Sequence, residues 1–181
     1  MCQSLALCHH WHFSDAFPST EREHMSDRTA APVPEGQRIE ALGDQLVKIH
    51  DMLRGELASL RRDLAGGGAP SGVPAPLDEQ LRKKCLSFCD FLHGHHTAED
   101  KGVLPGLARS HPGLAPVLER LTREHVLVSR SLDRIRALLE GGEAAGLRDE
   151  VERLAAEVEA HLDYEERQIV EALNSYGPVT L

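Results

Sequence analysis

LRKKCLSFCDFLHGHHTAED, residues 81–100, places Leu81, Cys85, Phe88, Leu92, His95 and Glu99 at alternating steps of four and three. That rhythm marks one face of an amphipathic helix. Its first four positions are apolar and its last two are not, so a His and a Glu one turn apart stand on the stripe that should face a core. A second copy, His161-x-x-x-Glu165, lies in HLDYEER at 161–167, again on the apolar stripe of its own helix. An unpaired carboxylate on a buried face is strongly unfavourable. Two such pairs therefore call for a compensating cation.

The same rhythm recurs outward from this stretch. Over 37–64 the apolar positions are Ile39, Leu42, Leu46, Leu53, Leu57, Leu60 and Leu64, with His50 filling the gap at helical spacing. Leu114, Leu118, Leu121, His125, Val128, Leu132, Ile135 and Leu139 predict a third helix, and Leu147, Val151, Leu154, Val158, His161, Glu165, Ile169 and Ala172 a fourth. The breakers between them are plain. A Gly/Pro-rich linker occupies 65–76, with Asp78 as N-cap of the second helix, which should weaken near Gly102 and Pro105. A turn follows at His111-Pro112-Gly113, and Gly141-Gly142 and Gly177-Pro178 stop the last two helices. The expected fold is all-α: an antiparallel up-down-up-down four-helix bundle over 37–176, with a flexible extension at 1–36 and a tail at 177–181.

Composition narrows the function classes. The 181 residues are 41% hydrophobic but only 4% aromatic, a balance that suits one helical domain. A net charge of -9 argues against nucleic acid or an anionic membrane as the main partner, since either wants a basic face. Cys2, Cys8, Cys85 and Cys89 form neither a disulfide framework nor a C-x-x-C pair, and no leader or membrane-spanning run stands out, so a cytoplasmic setting is expected. The cluster Cys8-His9-His10-x-His12 reads as part of a loose tail. No Ser-His-Asp arrangement appears, and Gly66-Gly67-Gly68 lacks the Lys-Ser/Thr of a phosphate loop.

Counted from the end of the bundle that carries the linker, His50, His95, His125 and His161 all lie roughly 21 to 26 Å down their helices, in one layer. Glu99 and Glu165 fall one turn below. Two metal ions side by side would suit this layer, each held by two or three imidazoles, with the carboxylates bridging from one side and an oxo bridge or ligand on the other. Mixed imidazole and carboxylate donors suit iron, and also manganese or zinc.

The four motifs in order, QLVKIHDMLRGEL around His50, HGHHTAEDKGVLP at 93–105, LTREHVLVSR at 121–130 and HLDYEER at 161–167, resemble the hemerythrin-like HHE cation-binding family, in its bacterial branch, over about residues 38–176. The resemblance implies a non-haem di-iron site that binds or senses dioxygen, with peroxide or nitric oxide as ligands in some members. It implies His50 and His95 on one iron, His125 and His161 on the other, and Glu99 and Glu165 bridging both. Helix three departs from the oxygen carriers, which present H-x-x-x-H there. The positions four residues either side of His125 are Leu121 and Ser129. Water, Glu124, Tyr164, Glu56 or His96 are the candidates to replace the missing ligand. An open position favours turnover over stable oxygen carriage, so a catalase- or peroxidase-like enzyme acting on hydrogen peroxide is one alternative. A helical interaction module merely stabilised by its metal is another.

His96 and Glu166 lie about 100° around the helix from the assigned ligands and are expected to support the site or face solvent. His93 and His111 are expected at the surface. Cys85 reads as core packing, and a redox-sensitive thiol at Cys89 is the weaker reading, because nothing basic is placed to stabilise its thiolate.

Overall fold

The computed structural model describes residues 40–66, 78–141 and 146–176. The extension at 1–36 with its Cys8-His9-His10-x-His12 cluster, most of the Gly/Pro-rich linker, Gly142 and Gly177-Pro178 lie outside the described residues. Helix α1 spans Leu42–Gly66, α2 Glu79–Ala98, α3 Leu104–Ser110, α4 Ala115–Glu140 and α5 Leu147–Asn174. A π-helical turn, Glu99–Val103, joins α2 to α3, so the two form one long rod, and the fold is an all-α four-helix bundle.

Inter-helix contacts run in opposite directions along each neighbouring pair. Going up α1 through Gly43, Arg54 and Arg61, the partners on α5 go down through Asn174, Asp163 and Glu152. Lys84 of α2 reaches Ser59 and Asp63 of α1, while His95 further along meets His50. Between the α2–α3 rod and α4 the pairs are Asp90 with Arg136 and Asp100 with His125. Between α4 and α5 they are Ser131 with Glu157 and Arg134 with Glu150. All four seams are antiparallel, the up-down-up-down order that short connections favour.

Two expected boundaries shift. α1 starts at Leu42, because Glu40 and Ala41 are not helical, and it runs two residues past Leu64. Its first turn lies against the last turn of α5, where Gly43 N donates to Asn174 Oδ1 at 2.8 Å, so the helix begins where a partner begins. The second difference is at Gly102 and Pro105. The rod does not end there. Leu104 N bonds to Glu99 O, five residues back, and Pro105, which has no N–H to give, occupies the first turn of α3. The rod stops only at His111, where a short 3-10 turn, Pro112–Leu114, leads into α4. Asp78 is the N-cap of α2 by position, but its side chain makes no capping hydrogen bond.

The apolar stripes meet in two separate cores. One contains Leu53, Leu57, Cys85, Phe88, Leu92, Val128, Leu132, Leu154 and Val158. The other contains Leu42, Leu46, Val103, Leu107, Leu121 and Ile169. Between them each of the four long helices contributes one buried polar level: His50 between Leu46 and Leu53, His95 to Glu99 between Leu92 and Val103, His125 between Leu121 and Val128, and His161 to Glu165 between Val158 and Ile169.

Candidate metal centre

All six polar residues read from the stripes are buried in this level, and a seventh, His96, joins them at 4% exposed. Among the described residues their ligand atoms fall into two groups: His50, His95, Glu99 and Glu165 in one, His96, His125 and His161 in the other. In the first, His50 Nε2 and His95 Nε2 approach to 3.1 Å. In the second, the rings of His96 and His125 stack with centroids 4.2 Å apart, and both meet His161 edge-on at 5.0 and 4.8 Å.

The carboxylates stand between the groups. Glu99 Oε1 lies 3.2 Å from His95 Nε2 in the first group, and its Oε2 lies 3.5 Å from His125 Nε2 in the second. Glu165 Oε2 lies 3.6 Å from both His50 Nε2 and His161 Nε2. Each acid thus faces one imidazole of either group.

His96, expected to support the site or face solvent and also one of the candidates for the missing ligand, is buried in the second group. Consecutive helical residues differ by about 100° in direction, and the interior of a four-helix bundle subtends an arc that wide. His95 therefore reaches one group and its neighbour His96 the other. The doubled histidine was the available signal, and a search along a single stripe passes over it. His96 is the one protein candidate for the missing ligand whose ring lies with His125 and His161 in the second group. Glu56 is exposed, and Tyr164 lies under the Arg120 guanidinium, 3.7 Å from its ring centroid. Glu124 turns instead to the far side of His161. His93 is exposed and His111 half-buried, well away from the layer.

Three imidazoles are held from behind. His50 Nδ1 donates to Glu166 Oε1 at 2.9 Å, His125 Nδ1 to Asp100 Oδ1 at 2.8 Å, and His161 Nδ1 to Glu124 Oε2 at 3.0 Å. With the Nδ1 proton so committed, the Nε2 lone pair of each ring points inward, the tautomer a metal ligand needs. Glu166, expected to support the site or face solvent, lies against His50 Nδ1. The part Asp100 plays is not legible in the sequence, because its helical position alone does not show that α4 lies beside it.

Burial decides the charge states. It lowers His50 to about 3 and His161 to about 4, and takes His95 and His96 well below, and His125 below, the ordinary imidazole range. Burial first, then neighbouring acids, raises Glu165 to about 8 and Glu99 well above the ordinary carboxylate range. The imidazoles are thus neutral and available as donors. Nε2 of His96, His125 and His161 and all four oxygens of Glu99 and Glu165 are buried without a hydrogen-bond partner. Buried polar atoms left unpaired in such numbers at one point are costly. Bound cations would satisfy them together, so the residues fit a metal site.

Burial also settles the cysteines. Cys85 and Cys89 are free and buried in the upper core, which pushes their thiols up to about 11 and about 12, so Cys89 lacks the thiolate a redox sensor requires.

Such a bundle, with its polar layer of imidazoles and carboxylates, is that of a helical cation-binding protein. Residues 42–173 match the family described as the hemerythrin HHE cation binding domain, and the chain belongs to that family. No curated protein and no solved structure matches it significantly. No helix among the described residues is long and apolar enough to cross a membrane.

Proposed function

We propose that this protein is a non-haem di-iron protein that binds or senses dioxygen or a related small oxidant such as peroxide or nitric oxide. The observation that carries the reading is the position of Glu99 and Glu165, each facing an imidazole of both groups. His50 and His95 serve one ion, His96, His125 and His161 the other, and the two glutamates serve both. Two irons held there supply a redox pair able to take up a small oxidant. The chain's own contribution is to hold the donors in place and aim them inward. Asp100, Glu124 and Glu166 do this from behind the rings, while Leu92, Leu121, Val128 and Ile169 wall the layer off from water.

His96 beside His125 and His161 supports reversible binding over peroxide turnover, because the open position on which turnover rested is supplied with a ligand. Iron analysis with optical spectra under argon, dioxygen and peroxide tests the reading. About two irons per chain, near-ultraviolet absorption without a haem band and a spectral change with dioxygen are expected. One zinc per chain overturns it. Sustained oxygen evolution from peroxide moves the function to the enzyme class. Unfolding on iron removal, with a loaded form inert to every oxidant, moves it to a metal-stabilised interaction module.

A further inference from the structure

The two H-x-x-x-E motifs share a feature beyond their ligands: the acid after each glutamate grips an imidazole from another helix. Glu99 and Asp100 clasp His125 at both ring nitrogens, 3.5 Å at Nε2 and 2.8 Å at Nδ1. Glu165 and Glu166 clasp His50 in the same way, at 3.6 and 2.9 Å. The clasps differ in what stands behind them. Glu166 Oε1 also accepts from Arg54 Nη1 at 2.7 Å, and Arg54 is held in place by Glu159 and Asp163. Glu124, behind His161, shares its charge with Arg120 at 2.7 Å. Among the described residues no lysine or arginine lies within ion-pairing distance of Asp100, whose Oδ1 accepts the His125 hydrogen bond with no guanidinium sharing it.

A carboxylate that draws on Nδ1–H enriches Nε2 in electron density and makes it a stronger donor, and a guanidinium on the same carboxylate withdraws that effect.

We propose that Asp100 and Arg54 are positioning residues that make the two metal positions unequal, Asp100 by rendering His125 a stronger donor and Arg54, through Glu166, by rendering His50 a weaker one. The proposal rests on the reading of the layer as a metal pair.

Cobalt(II) titration of the full-length apoprotein, followed by visible absorption, tests it, with each binding step assigned by its loss in His50→Ala or His125→Ala. Asp100→Asn keeps an acceptor but loses the charge, and should weaken the ion on the His125 side about tenfold or more while changing the other by less than about threefold. Arg54→Gln should act in the opposite direction and tighten the ion on the His50 side about threefold or more, with Arg54→Lys returning it toward wild type. A purely structural role for these residues loosens binding in both variants. In the apoprotein, the His125 Nδ1–H proton resonance should move upfield in Asp100→Asn at unchanged helicity. Loosening by Arg54→Gln, or no effect of Asp100→Asn on a wild type that binds two ions, overturns this proposal alone. A wild type that takes up no cobalt overturns the metal-pair reading and this proposal with it.

Discussion

At the scale of single residues, neighbours in the chain do different jobs. His95 and His96 face different groups, and Glu99 and Asp100 meet opposite nitrogens of one ring. Substitutions should separate these jobs by their effect on iron content. Glu99→Ala and Glu165→Ala each remove a carboxylate that faces both groups, and should leave chains with less than about a fifth of the wild-type iron. His96→Ala and His125→Ala each touch one group, and should leave the His50 side partly loaded. His93→Ala, at an exposed position, should keep its full content. Iron per chain by elemental analysis, with circular dichroism to show that the bundle persists, checks all five. If His96→Ala retains full iron, His96 is not a ligand. The thiols give a second prediction. With Cys85 and Cys89 pushed up to about 11 and about 12, iodoacetamide should label both about a hundredfold more slowly in the folded chain than in the denatured one, as mapped by peptide mass spectrometry.

At the scale of elements, two features set how the helices meet. The first turn of α1 packs so closely on the end of α5 that a Cβ on Gly43 would lie 2.5 Å from both Asn174 Oδ1 and Val170 O. One of those atoms is backbone, so the helices must part to admit it. Gly43→Ala should therefore destabilise by about 1–3 kcal/mol, read as a lower denaturation midpoint at unchanged slope, even though Ala is the better helix former. The second feature is the π-helical turn Glu99–Val103. Its added residue re-phases the rod. Leu104 and Leu107 of α3 then fall into the lower core, while Glu99 and Asp100 stay with the layer above.

At the scale of the whole molecule, a layer of imidazoles and carboxylates divides one hydrophobic interior into two cores, and the apoprotein bears the cost of burying it. His50 and His161 have folded values lowered to about 3 and about 4, so their contribution to stability is present above the unfolded value of about 6.5 and is lost as pH falls through those values. Glu165, raised to about 8, contributes in the opposite sense: its stability is present below the unfolded value of about 4.3 and is lost as pH rises through about 8. The apoprotein should melt at a lower temperature at about pH 9 than at about pH 6.5. In the metal-loaded chain the carboxylates are ionised and compensated, so the decline over that interval should disappear. Thermal melts of both forms at the two pH values check this, and an equal decline in both would show that the acids are not metal-bound.

The bundle and six of its seven layer residues are legible in the sequence, because both follow from one local rule. A helix repeats its face every three to four residues, so a His or Glu that keeps the apolar rhythm must share the fate of the leucines around it. His50, His95, Glu99, His125, His161 and Glu165 obey that rule and are buried together. Direction between helices is not local. His96, off the assigned stripe, faces inward because α4 and α5 close the bundle on that side, and Asp100 reaches His125 because the antiparallel seam sets the two side by side. The continuous rod through Gly102 and Pro105 is likewise a tertiary outcome. A proline and a glycine lower local helix propensity, but burying Val103, Leu104 and Leu107 in the lower core outweighs that loss, and the π-helical turn absorbs the missing N–H. Periodicity assigns residues to the interior. Only the packing of four helices decides which interior residues meet and which acid stands behind each imidazole.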